Sequence, residues 1–321
     1  MLKFVMMPPQ DDNRRQWAER LAQKLPQYRV AVPETDDQAC REIVDADAAY
    51  GWVSPKALHV AKKLRWLQNP DAGPFPGYYY PALIEHLVVV CNPRGIYFDH
   101  ISHHIMMFLL ALSRGLPDYI EAQRQRRWHP DARKSPYIDL TSATALIVGV
   151  GGIGHETARL CEGFGMAVIG VDPRPEYDVP FAEMHPSEAL DVVLPQADFV
   201  IATTPHTPET EGMWNERRFR LMKQTAYFIN IGRGKTTKID DLADAIENGE
   251  IAGCGLDVFE VEPLPSNHRL WTLPNVLLTP HVALKDAENI PERRFSIIAE
   301  NARRFAAGEA LHNVVDKAAW Y

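Results

Sequence analysis

A glycine-punctuated turn and three scattered titratable residues are the parts of this sequence best suited to chemistry. LIVGVGGIGHETARL (146–160) runs from an apolar strand pattern into Gly149-x-Gly151-x-x-Gly154 and then into a helical pattern. Gly149 suits the tight turn, Gly151 lets the backbone approach a pyrophosphate, and Gly154 permits close packing of helix on strand. The amides of Gly152 and Ile153 then point from the helix start toward an anion, assisted by the helix dipole. A simple packing turn also uses glycine, but the context separates the two. A second strand pattern, AVIGVD, ends at Asp172, about 20 residues on, where a carboxylate accepts hydrogen bonds from an adenosine ribose. Strand, turn, helix, strand and acid together predict dinucleotide binding.

Further on, NIGRGKTTKIDDL (230–242), LDVFEVEPLP (256–265) and LLTPHVAL (277–284) place Arg233, Glu262 and His281 after the ends of strand patterns. Open α/β sheets bind their ligands at that edge. Singly, each residue also reads as a surface cation, a solvated carboxylate or a structural imidazole. Their shared position marks them as candidates.

The elements that must position these residues are legible as alternation. Strand patterns at 2–6, 28–32, 47–53, 64–68 and 87–91 are separated by helical or loop segments such as Asp12–Leu25, which predicts a parallel sheet covered on both faces. IYFDHISHHIMMFLLALSRGL follows, apolar at helical spacing, with Gly115 and Pro117 as stop signals. Such a helix between two α/β units suits a hinge or a subunit contact. From Thr144 the alternation restarts with ALIVG, AVIGVD, DFVIATT, AYFINI, AGCGLDVF and VLLTP, and 285–307 returns to helical periodicity.

Composition bounds the rest. The 321 residues are 46% hydrophobic and 24% charged, with a formal net charge of −8, as in ordinary soluble globular proteins of about two domains. No basic stripe is present, so no nucleic-acid partner is expected. The strongest apolar stretch, Ile105–Leu112, is too short to span a bilayer, and the N-terminus shows no secretory pattern. Cys40, Cys91, Cys161 and Cys254 lack paired spacing, so neither zinc nor disulfides are expected, and a cytoplasmic protein is the default. His100, His103 and His104 share a helical face. That spacing is open to a metal, but packing or a subunit contact is the reading taken, and no metal is expected.

The pieces VGVGGIG, VDP, TTPHTPET, INIGRGKTTKIDDLADAI, GLDVFEVEP and TPH, in this order and spacing, resemble the D-2-hydroxyacid dehydrogenase family. They cover most of residues 140–284, and the two-part layout matches the remainder more loosely. The resemblance implies an α/β fold in which a Rossmann-type doubly wound nucleotide-binding domain is inserted into a smaller flavodoxin-like substrate domain. The expected boundaries are 97–284 for the former, with an interdomain and dimerisation helix near 97–116, and 1–96 with 285–321 for the latter. It also implies a homodimer, NAD as cofactor with NADP at lower preference, and hydride transfer between NAD(H) and a small 2-keto or D-2-hydroxy acid. Glyoxylate or hydroxypyruvate is the favoured size. Formate- and phosphite-type dehydrogenases and NAD-sensing corepressors on the same scaffold are the alternatives.

By the same resemblance Arg233, Glu262 and His281 are catalytic. Arg233 can bind the carboxylate and polarise the ketone. His281 can donate a proton to the developing alkoxide, with Glu262 orienting it and stabilising its charged form. Asp257 matches the position that bonds the nicotinamide amide, and Thr204, Pro205, Ile231 and Gly232 match further cofactor contacts. Ala72 and Gly73, in LQNPDAGPFPGYYYP, match the amides that bind the substrate carboxylate. In that loop Asp71 would repel an anion unless it points away, Pro74 and Pro76 stiffen the backbone, and Tyr78, Tyr79 and Tyr80 either line a pocket or pack. Arg174, in a turn restricted by Pro173 and Pro175, competes with Asp172 over the ribose, because an arginine there can accept a 2′-phosphate.

Overall fold

The structure is a computed structural model that describes residues 1–73, 75, 77–174, 179–285 and 287–320. Pro74, Pro76 and Pro175, expected to stiffen their loops, lie outside the described residues. The chain forms two compact units, Met1–Ile96 with Ala287–Tyr321, and Tyr97–Asp286.

The first unit holds β1 (Leu2–Met6), β2 (Tyr28–Ala31), β3 (Ala48–Tyr50), β4 (Trp66–Gln68) and β5 (Val89–Cys91). They pair in parallel in the order β2-β1-β3-β4-β5, the flavodoxin-like doubly wound arrangement. The central strands read as continuous apolar runs because both faces are covered. Val5, Leu67 and Val90 belong to one core, with Leu58 and Leu83. Phe4, Met6 and Trp66 belong to the other, with Phe295, Ile298 and Ala302 of the helix Ile290–Ala307.

That helix explains why the unit needs both ends of the chain. Its apolar stripe has no partner until it lies on this sheet, and Gly308, left-handed at φ 72°, stops it. Asn301 fastens it: its Nδ2 donates to Gln68 Oε1 at 3.0 Å and to the His312 carbonyl at 3.1 Å, and its Oδ1 accepts from the His312 amide at 2.8 Å. The contact between Asn301 and Gln68 is buried in the core, and those with His312 are partly buried.

The second unit holds β6 (Thr144–Val148), β7 (Ala167–Val171), β8 (Glu183–His185), β9 (Phe199–Ala202), β10 (Tyr227–Asn230), β11 (Gly253–Leu256) and β12 (Val276–Leu278). All pairs are parallel, in the order β12-β11-β10-β9-β6-β7-β8. The order reverses between β6 and β9, the crevice where doubly wound Rossmann sheets bind ligands. The apolar helix occupies Phe98–Ser113 and ends at Gly115, left-handed at φ 64°; Pro117 then opens a second helix, Leu116–Arg124. That second helix is not legible in the sequence, because only Ala122 of its nine residues is buried. β8 is likewise unforeseen, a three-residue edge strand with no fully buried side chain. Among the described residues no helix is long and apolar enough to cross a membrane.

The Asn301 link can be tested directly. Asn301→Leu keeps the volume but leaves the buried Gln68 Oε1 without its donor and removes both bonds to the His312 backbone. It should lower the unfolding free energy by about 2 kcal/mol or more, read from urea denaturation followed by tryptophan fluorescence.

Candidate functional site

The glycine turn follows β6 directly. Gly149 sits at φ 94°, a region open to glycine but strained for other residues, and its Cα faces the backbone of Thr203 and Thr204. Gly154 packs so close to the Gly149 carbonyl that an added Cβ would stand 2.3 Å from its oxygen. Gly151 and Gly152 instead meet no atom of the described residues within 4 Å of an added Cβ. The helix Gly152–Gly163 begins there without a side-chain cap, which leaves its first amides for an anion. Ser102 and Thr157 hold this first turn through the Ile153 carbonyl, at 3.1 and 2.8 Å.

Asp172 closes β7 with only 5% of its surface exposed. Its Oδ2 accepts from the Val150 amide at 2.8 Å and its Oδ1 from the Arg174 amide at 3.0 Å. The carboxylate therefore braces the glycine turn from behind. The Arg174 side chain, half exposed, places Nε 3.7 Å from Oδ1.

The loops after β9 and β10 run side by side, with the Ile231 amide donating to the Ala202 carbonyl at 3.1 Å. Thr204, Pro205, Ile231 and Gly232 thus border one sheet edge. Thr204 Oγ1 is buried there without a hydrogen-bond partner among the described residues. An open cradle at Gly151–Gly152, an orphan hydroxyl and an acid at the end of β7 suit a dinucleotide.

Arg233 is carried on a turn built by Asn230, a buried polar residue that the sequence reading passed over. The Asn230 Oδ1 accepts from the Gly232 amide at 2.9 Å, and its Nδ2 donates to the Arg233 carbonyl at 3.2 Å and to Thr237 Oγ1 at 2.9 Å. The signal was present: one amide side chain closes the otherwise apolar strand YFIN. Gly234 then lies flat on the backbone of Phe259, where a Cβ would stand 1.8 Å from the carbonyl oxygen. The Phe259 amide in turn donates to Glu262 Oε1 at 2.9 Å, and Glu262 Oε2 meets His281 Nδ1 at 2.8 Å. Both side chains remain accessible, at 38% and 52%. Arg233, Glu262 and His281 therefore belong to one connected group of loops.

His281 itself has φ 53°, an uncommon conformation for a residue with a bulky side chain. Its amide donates to the Asp257 carbonyl at 2.8 Å. The Asp257 carboxylate, 1% exposed, accepts from Thr279 Oγ1 at 2.6 Å, Val282 N at 2.9 Å and Ala283 N at 3.1 Å. Its acceptor capacity goes largely to the loop that carries His281, leaving one lone pair on Oδ2 for a further donor. His104 Nε2 lies 2.9 Å from the same Thr279 hydroxyl. Burial lowers the His104 pKa, against a smaller opposing effect from Asp257.

In the first unit, Ala72 and Gly73 sit in the loop after β4, with Asn92 Nδ2 on the Ala72 carbonyl at 3.3 Å. Asp71 pairs with Arg294 at 3.4 Å, so its charge is partly offset. Tyr78 and Tyr80 donate to the Gly51 and Val53 carbonyls at 2.9 and 2.8 Å, and Tyr79 accepts from Asn69 at 3.4 Å. The three tyrosines are packing residues. Among the described residues no group of three or more His, Cys, Asp or Glu side chains could hold a metal. His103 is exposed, while His104 turns inward.

Residues 106–283 match the family model described as D-isomer specific 2-hydroxyacid dehydrogenase, NAD binding domain. The chain is 36% identical over 311 residues to a glyoxylate reductase of Thermococcus kodakarensis, an alignment covering 90% of each. It is 28% identical to a D-3-phosphoglycerate dehydrogenase of Methanocaldococcus jannaschii, covering 98% of this chain and 60% of that one. Among solved structures, the NADPH-dependent glyoxylate/hydroxypyruvate reductase of Sinorhizobium meliloti, in complex with NADP and sulfate, superposes with a TM-score of 0.83. That pair shares 26% identity and covers all of both chains.

Gly151→Asp places a carboxylate in the open space before the helix. It should weaken NADH binding about tenfold or more, since a single opposed charge costs on the order of 1.4 kcal/mol. Fluorescence titration reads the affinity, and far-UV circular dichroism should be unchanged.

Proposed function

The chain belongs to the D-isomer specific 2-hydroxyacid dehydrogenase family, and we propose that it reduces a 2-keto acid of glyoxylate or hydroxypyruvate size to the D-2-hydroxy acid with NADH, reversibly. At the coarser level it is an NAD(P)-dependent oxidoreductase of 2-keto acids. The observation that carries the finer reading is the 2.8 Å contact of His281 Nδ1 with a Glu262 whose other oxygen is tied to Phe259.

Because Nδ1 faces the carboxylate, Nε2 is the nitrogen left for a substrate. In reduction the imidazolium gives its Nε2 proton to the substrate oxygen, and in oxidation the neutral ring takes it back. Glu262 offsets the positive charge of the ring. Arg233 holds the carboxylate and polarises the ketone. Ala72 and Gly73 carry the proposed carboxylate-binding amides of the first unit. Gly149, Gly151, Gly152, Ile153, Gly154, Thr204, Pro205, Ile231 and Gly232 would hold the dinucleotide, with Asp172 at the ribose and the remaining lone pair of Asp257 at the carboxamide. When bound, the nicotinamide supplies the hydride.

Asp172 favours NADH, since a 2′-phosphate would face a carboxylate held in place by two amides. Arg174 leaves NADPH admissible. The same reading makes the protein a cytoplasmic homodimer. Free cysteines support the location, and exposed Met107, Leu116 and Trp128 on the second unit support the association.

Three measurements test this. With NADH, glyoxylate and hydroxypyruvate should be turned over, whereas oxidation of formate or phosphite without keto-acid reduction would overturn the substrate class. The kcat/KM should be higher with NADH than with NADPH, and Asp172→Ala should lose most of that difference.

Glu262→Gln is the sharpest variant. A glutamine that keeps the Phe259 bond turns its NH2 toward Nδ1, so two donors oppose each other and the imidazolium loses its partner. Its kcat should fall roughly 10²-fold, close to His281→Ala, with NADH affinity unchanged.

A further inference from the structure

We infer that His104, on the helix Phe98–Ser113, is a positioning residue for the proton donor and acts through Thr279 and Asp257. The inference rests on the role proposed for His281. It concerns a side chain joined by one hydrogen bond to Thr279 and, through Thr279, by a second to Asp257.

The direction of each bond follows from proton counting. The Thr279 hydroxyl has one hydrogen, and the 2.6 Å contact with the buried Asp257 carboxylate takes it. Toward His104 Nε2, 2.9 Å away, that oxygen can only accept. His104 must therefore carry a proton on Nε2. Burial favours the uncharged ring, so one neutral tautomer is selected. The ring of Phe108 stands edge-on to it at 5.0 Å and fixes its plane. His104, Thr279 and Asp257 form a one-way chain of donors ending on a carboxylate.

Asp257 is where that chain meets the catalytic loop. The amides of His281, Val282 and Ala283, three in succession, all end on Asp257, the first on its carbonyl and the other two on its carboxylate. His281 has φ 53°, a conformation that persists only when its surroundings impose it. The carboxylate can impose it only while its own orientation is fixed. Thr279, backed by His104, supplies the side-chain donor on Oδ1, beside the Val282 amide. Removing either donor leaves the carboxylate held by the two amides of the very loop it has to position, so the loop relaxes and the imidazole moves away from Glu262.

Four variants and two readouts test this. His104→Leu and Thr279→Val remove a donor, whereas His104→Gln and Thr279→Ser retain one. With NADH and the better of glyoxylate and hydroxypyruvate, the first pair should lose about tenfold in kcat, the scale of a displaced catalytic group, with keto-acid KM within about twofold. The second pair should recover most of the loss. Equal losses in all four, tracking their melting temperatures, would reduce His104 to packing and overturn the inference. The second readout needs no turnover. Ring ¹⁵N spectra should show His104 with its proton on Nε2, and the His281 signals should shift in Thr279→Val but not in Thr279→Ser. A proton on Nδ1 of His104, or unmoved His281 signals in Thr279→Val, would overturn it. If no keto acid is reduced, the proposed function fails and the spectra alone decide this point.

Discussion

A carboxylate buried to 1% exposure, Asp257, is the constraint on which the rest of the site depends. A carboxylate removed from water must be given donors to replace it, at a cost of several kcal/mol if they are missing. The chain meets that demand with Thr279 and with the amides of Val282 and Ala283. Meeting it bends the segment after β12 around Asp257 and turns His281 outward. Glu262 is held by a different device, the Phe259 amide on Oε1. Two independent clamps thus bring Nδ1 and Oε2 within 2.8 Å. The contact between them stays open to solvent because the clamping groups, rather than the pair itself, are buried.

The turn that presents Arg233 follows the same logic at the neighbouring strand. Asn230 is buried and satisfies its amide by gathering Gly232, Arg233 and Thr237 around it. Gly234 then lets this turn lie on the backbone of Phe259. Arg233, Glu262 and His281, far apart in sequence, are joined through backbone segments rather than through one another. That is why substitutions at Asn230 or Gly234 would disturb the site without touching a reacting group.

Much of this is legible in the sequence alone. The glycine turn, the acid at the end of β7 and the strand-end positions of Arg233, Glu262 and His281 follow from local pattern, because each depends on residues close in sequence. The apolar runs of both sheets were legible for the same reason, although β3 proved shorter than 47–53. Asn230, Thr279 and His104 were not read as site residues, since their roles depend on partners brought near by the fold. His104 and Thr279 are 175 positions apart. A histidine in an apolar helix reads as packing until the threonine opposite it is seen. The tyrosines 78–80 were ambiguous for a related reason: the carbonyls of Gly51 and Val53 that decide their roles lie 27 residues back.

The helix Phe98–Ser113 carries one more consequence. Ser102 on it touches the Ile153 carbonyl at the start of the helix Gly152–Gly163, and His104 touches Thr279, two residues before His281. Two positions along a helix differ by about 3 Å in rise and about 200° in direction, so the rod is gripped from nearly opposite sides. A displacement of the helix would therefore act at once on the start of the helix Gly152–Gly163 and on the loop that carries His281.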